Sequence, residues 1–264
     1  MELLAIGVLA FYAVGYLVLA GADLGAGMLL PYLGRTRAER RLVRLAVTPF
    51  FLTTEVWLVA AVGVIAGVFP ALEETLIGGH YAAVVLLLFG WVVRDLGLWL
   101  YGGGGRTAVA AITAGSWTVA VSWGLLISGI TGLSPLAGVP LVAALFGAHG
   151  LTFAALRLPG APRRRARRPW RGAVRLSGAF GERVAFGVTA VALAALGVLA
   201  GGRLPLRDSL AEPTFLVPVM AVVTPLLLAT QVWAWWTFRR RVSDDDPDPL
   251  GVQYTKAERI RTSA

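Results

Sequence analysis

Asp23, Glu55, Arg94, Asp95 and His149 are the side chains whose types and placement could do chemistry, because each falls inside a long apolar run. Ionisable groups in hydrocarbon are costly, about 2.5 to 3.5 kcal/mol each at a helix centre, so they face the interior of a bundle and mark functional sites by default. Three are carboxylates, one is a guanidinium able to neutralise them, and one is an imidazole that titrates near neutral pH. Together they could relay protons, form a buried ion-pair network, or meet a polar group of a partner subunit. At 1.5 Å per residue, Asp23 and Glu55 lie about 15 Å from the inner ends of their helices, and Arg94, Asp95, His149 and Gln231 about 10–12 Å. Helices of opposite direction thus bring these groups to a common depth and predict one polar layer.

Each residue also has a structural reading. Asp23 stands among Gly21, Ala22, Gly25, Ala26 and Gly27, whose four-residue spacing is by itself a close helix-packing face. His149, between Ala148 and Gly150, could ligate a haem or carry a proton, but a hydrogen bond to a neighbouring helix is the favoured reading. Trp99, Tyr101, Trp233, Trp235 and Trp236 near helix ends read as an interfacial belt, and His80 as an outer-surface residue. The glycine run 102–105 lacks the lysine and strand of a phosphate loop and reads as a turn. No residue is assigned as catalytic and none as a metal ligand.

The elements that position these groups follow from hydropathy. The 264 residues are 57% hydrophobic and 15% charged, which is too apolar for a soluble core and predicts an all-α, multi-pass membrane protein. Apolar stretches at 3–33, 45–69, 81–101, 107–130, 139–156, 184–201 and 215–238 are each long enough to cross a hydrocarbon core of about 30 Å. About seven spanning helices are therefore expected in a bundle over 1–241.

The net charge of +9 resides mainly in short connections, where it orients the chain and argues against nucleic-acid binding. Arginines cluster between the first and second stretches, at Arg106, between the fifth and sixth, and at Arg239, Arg240 and Arg241, while Glu73 and Glu74 mark the opposite side. The positive-inside rule then places the N-terminus outside and the C-terminus in the cytoplasm of a bacterial inner membrane. The arginine-rich stretch 159–183 reads as a solvated cytoplasmic connector that can also touch anionic lipid heads. Residues 242–264 read as a cytoplasmic tail too polar to fold alone. With no cysteine, disulfides and thiolate metal sites are excluded. Met1 and Glu2 lead straight into an apolar run without a basic segment, so a cleaved signal peptide is not expected.

The run Gly21-Ala22-Asp23-Leu24-Gly25-Ala26-Gly27-Met28, followed by Gly34-Arg35 and Glu39-Arg40-Arg41, resembles the first helix and loop of subunit II of the cytochrome bd family of quinol oxidases. The resemblance continues through Pro49, Glu55-Val56-Trp57-Leu58, Phe69-Pro70, Arg94-Asp95-Leu96-Gly97, Gly115-Ser116 and His149-Gly150-Leu151-Thr152-Phe153. Pro225 and the aromatic run from Trp233 to Phe238 look like the last helix of the family.

The resemblance implies an accessory second subunit in a heterodimer. A haem-carrying subunit I with b-type and d-type haems would oxidise quinol and reduce oxygen with protons taken from the cytoplasm, alongside lipids, quinone and small accessory subunits. No cofactor is assigned to this chain. It departs from the pattern in having about seven crossings, fewer than the family, and in carrying Leu52 and Ala20 where acids are usual. An ion-coupled transporter and a purely structural membrane partner remain the alternatives.

Overall fold

A computed structural model describes residues 2–101, 105–170, 178–210, 216–243, 245, 246 and 250. Among them the chain is helical without strands. In order these are α1 (Glu2–Met28), α2 (Leu30–Leu33), α3 (Arg37–Val68), α4 (Pro70–Glu73), a π-helical turn (Glu74–Gly78), α5 (Tyr81–Trp99), α6 (Arg106–Thr131) and α7 (Pro135–Arg157). Then come α8 (Gly160–Arg167), a 3-10 turn (Arg168–Trp170), α9 (Gly178–Gly201) and α10 (Leu216–Thr237). Seven of them, α1, α3, α5, α6, α7, α9 and α10, are long and apolar enough to cross a membrane, as the hydropathy predicts.

The second spanning helix starts eight residues earlier than the apolar pattern indicates, at Arg37 in place of 45. Thr36 and Glu39 form a reciprocal cap: the Glu39 amide donates to Thr36 Oγ1 at 3.2 Å, and Glu39 Oε2 accepts from the Thr36 amide at 3.2 Å. This arrangement satisfies the free amides of the first turn and carries the helix through Arg40, Arg41 and Arg44. Arg44 is consequently buried, donating to the Leu98 carbonyl at 3.2 Å with its guanidinium over the Tyr101 ring.

Helix α1 is central, packing against α3, α6, α7 and α9. Its crossing with α7 depends on backbone contact, because a Cβ on Gly25 would collide with the Phe146 carbonyl and one on Gly150 with the Gly25 backbone. Small residues permit this approach, which van der Waals packing then rewards in lipid. Two apolar clusters fill the bundle. One groups residues such as Tyr12, Trp57, Val64, Leu87, Val119 and Phe146, the other Leu33, Val47, Phe51, Leu98, Ile112 and Phe153. Large apolar side chains such as Phe89, Val92, Val191, Val222 and Trp233 stay more than half exposed on the outer faces of α5, α9 and α10, as hydrocarbon solvent allows.

The connector is more structured than its composition suggests. Pro162 and Ala166 are buried, Tyr32 Oη donates to the Arg165 carbonyl at 3.1 Å, and Arg165 donates to the Leu33 carbonyl and pairs with Glu39 at 2.7 Å. Residues 171–177 of the connector and most of the 242–264 tail lie outside the described residues. Of the expected aromatic belt, Trp99, Trp233 and Trp236 are exposed, whereas Tyr101 is buried under Arg44 and Trp235 packs on Phe50, Phe153 and Phe186. His80 is half-buried, its ring lying over Gly129 of α6.

Candidate functional site

The level at which the two apolar clusters meet is polar. Asp23 lies between Ala20 and Leu24 of one cluster and Ala22 and Ala26 of the other, and Glu55 lies between Phe51 and Trp57 in the same way. Arg94 of α5 reaches into this seam because α5 and α6 touch backbone to backbone. An added Cβ on Gly115 would stand 2.5 Å from the Arg94 amide nitrogen and from the Gly90 carbonyl oxygen. With α6 so close behind it, the guanidinium extends toward α1 and α3.

There it gathers three acids. Arg94 Nη2 lies 3.0 Å from Asp23 Oδ2, while Nη1 lies 3.0 Å from Asp95 Oδ1 and 3.7 Å from Glu55 Oε1. Trp91, one turn before Arg94, donates its indole N–H to Glu55 Oε1 at 2.8 Å. Phe51 covers the guanidinium, its ring centroid 5.8 Å away. Arg94 and Asp23 side chains are each 3% exposed, against 17% for Glu55 and 20% for Asp95, so the cluster runs from the core outward between α3 and α5. Asp23 Oδ1 and Arg94 Nε are buried without partners among the described residues. A void of about 10 Å³, enough for roughly one water, lies between Arg94 and Arg44.

Three carboxylates around one guanidinium leave a formal charge of −2 if all are ionised. In a low-dielectric interior such a surplus needs protons or a further cation, so the group is chemically suited to holding and exchanging protons.

His149 and Gln231 do not belong to this cluster: among the described residues, no hydrogen bond or ion pair joins either to Arg94. His149 Nε2 lies 3.1 Å from the Val18 carbonyl, and a carbonyl can only accept, so Nε2 carries hydrogen. Nδ1 lies 2.7 Å from Thr189 Oγ1, and Phe186 stacks on the ring at 4.5 Å. Both ring nitrogens are committed, an arrangement that fits a clasp between α1, α7 and α9 and does not fit an axial haem ligand. Gln231 of α10 is buried, with neither amide atom partnered among the described residues. Among those residues no group of three His, Cys, Asp or Glu side chains is arranged to hold a metal ion.

Sequence reasoning passed over three participants. Trp91 shows itself by sharing a helix face with Arg94, three residues on, and Arg44 by sharing one with the apolar Val47 and Phe51. Glu182 is the sole acid between Asp95 and Asp208. It is 4% exposed at its side chain and collects Arg163 at 2.8 Å, Arg241 at 2.9 Å and Arg167 at 3.6 Å.

Comparison with known proteins places these features. A sequence model of the family described as cytochrome bd terminal oxidase subunit II matches residues 1–211. Cytochrome bd ubiquinol oxidase subunit 2 of Bacillus subtilis (strain 168) is 35% identical over 83 residues, which are 31% of this chain and 25% of that protein. Cytochrome bd-I ubiquinol oxidase subunit 2 of Escherichia coli (strain K12) is 34% identical over 94 residues, 36% of this chain and 24% of that protein. A probable cytochrome oxidase subunit 2 of Haemophilus influenzae is 31% identical over 116 residues, 44% of this chain and 29% of that protein. The matched stretches thus span about a quarter of these relatives. With the family model covering most of the sequence, the chain belongs to the cytochrome bd terminal oxidase subunit II family.

Proposed function

We propose that this chain is the accessory second subunit of a bd-type quinol:oxygen oxidoreductase, packed in a bacterial inner membrane beside a haem-carrying subunit I. The b-type and d-type haems of that partner would supply the redox chemistry, with quinol as substrate. The N-terminus lies outside, and the arginine-rich loops and the 242–264 tail lie in the cytoplasm.

The observation that carries a role in proton uptake is the Arg94 cluster: three acids on one arginine, graded from an enclosed Asp23 to a partly exposed Glu55 and Asp95. Carboxylates in excess of their cation can take and give protons, and their partly exposed members stand where a partner or water could reach them. The visible spectrum of the complex purified through this chain tests the assignment. Reduced b-type and d-type haem bands are expected, and a colourless single-chain preparation would overturn it in favour of a transporter.

A structural reading is favoured by Leu52 and Ala20, which stand where acids are usual in the family, and by the close pairing of Arg94 with Asp23. Asp23→Asn and Glu55→Gln decide between the two. Loss of quinol oxidation in a complex assembled at normal abundance supports a relay, and unchanged turnover in both variants leaves only the structural role.

A further inference from the structure

We infer that the groove between α6 and α7 holds one anionic phospholipid of the leaflet on the arginine-rich side, with its headgroup on Arg164 and Arg168 and an acyl chain under Trp170. The groove has a volume of about 730 Å³ and runs between Trp117 and Val121 of α6 and Val139, Ala144 and Leu151 of α7. From Val139 to Leu151 it extends about 18 Å along the helix, close to the thickness of one hydrocarbon leaflet. Its walls are almost wholly apolar, which suits an alkyl chain.

The arginine-rich end carries the chemistry that separates a lipid from a bare hydrocarbon. Pro169 and Trp170, which follow directly on the connector arginines, line the groove, and the Trp170 indole nitrogen is buried with no partner among the described residues. The other indole of the groove, Trp117, already donates to the Met28 carbonyl at 3.3 Å, so Trp170 holds the free donor. An indole N–H at the depth of a membrane interface fits the ester carbonyl of a glycerolipid.

The connector arginines then divide into two sets. Arg163, Arg165 and Arg167 are paired with Glu182 and Glu39. Arg164 and Arg168 are exposed and, among the described residues, carry no ion pair; four positions apart, they share one helix face and lead directly into Pro169. Two cations without an ion pair among the described residues, in the segment that leads into Trp170 and its unpartnered donor, together with an alkyl-sized groove, match phosphate, ester and chain of one molecule. This inference rests on the membrane fold and not on the oxidase assignment, so either can fail alone.

The test extracts the chain with whatever partners it carries, washes it in detergent, and measures retained phosphatidylglycerol and phosphatidylcholine per chain by mass spectrometry after exposure to an equal mixture. Wild type is expected to retain phosphatidylglycerol preferentially. Ala144→Phe fills the groove from an exposed position and should remove about one lipid per chain. Arg164→Gln with Arg168→Gln should keep the lipid but erase the preference, by about thirtyfold for two interfacial arginines. Trp170→Phe keeps the packing and removes only the donor, so it should lower retention with Tm unchanged. Lipid content unchanged in Ala144→Phe, a preference unchanged in the double arginine variant, or displacement of an isoprenoid quinone in place of phospholipid would each overturn the inference.

Discussion

The Arg94 cluster and the Glu182 cluster are opposites. The first sets one cation among three acids, with both Arg94 and Asp23 only 3% exposed, whereas the second sets one acid, 4% exposed, among three cations that are 29% to 39% exposed. Surplus negative charge is enclosed inside the bundle, and surplus positive charge faces the rim, where water and anionic headgroups screen it. The same ion-pair chemistry therefore takes two mirror forms: at depth one arginine is the partner that three acids share, while on the rim one acid is the partner that three arginines share.

The largest expected effect comes from breaking the deep cluster. Arg94→Leu leaves three acids without their cation, a loss of about 3 to 5 kcal/mol for an uncompensated buried charge. Immunoblotting of membranes should show much less assembled complex, and combining it with Asp23→Asn should restore part of it. Normal abundance with selectively lost turnover would show that Arg94 serves catalysis and not the ion-pair network.

Glu182→Gln comes next. It strips the charge that three arginines share, with hydrogen bonds to charged groups worth about 1.5 to 3 kcal/mol. Faster proteolysis at the connector arginines and a lower Tm are expected, and an unchanged digestion pattern would mean that the rim cluster does not hold α8 in place. The smallest effect belongs to Arg167→Gln, whose contact with Glu182 is 3.6 Å and 39% exposed on the arginine side. An exposed pair contributes about 0 to 1 kcal/mol, so Tm should hardly move. A large drop here would erase the contrast between rim and core.

The spanning helices and the shared depth of Asp23, Glu55, Arg94 and Asp95 were legible in the sequence because hydropathy and a fixed rise per residue determine both. The grouping of His149 and Gln231 with them was not. Depth is one coordinate, and the direction in which a side chain leaves its helix is set by how helices cross, here through contacts such as Gly25 on Phe146 and Gly115 on Arg94. The start of α3 was legible in principle, since Thr36 and Glu39 spell a capping box, but the arginines around them, Arg35, Arg37, Arg40 and Arg41, read more readily as a loop. Glu182 was obscured by its position: a single acid at the start of an apolar helix draws no notice until distant arginines fold onto it.

The last helix is fastened to the fifth by its own end. Arg157 donates to the Arg240 carbonyl, the Val242 amide donates to the Arg157 carbonyl at 3.0 Å, and Arg241 donates to the Ala155 and Leu158 carbonyls at 2.8 and 3.1 Å while reaching Glu182. Every one of these bonds waits for residues made after α10. Until then the C-terminal carbonyls of α7 lack these donors and Glu182 lacks one of its three arginines. The clasp therefore closes only after α10 has been made, and it ties the order of synthesis to the order in which these groups find their partners. A chain interrupted ahead of Arg239 would present open carbonyls on α7 and a Glu182 short of one arginine.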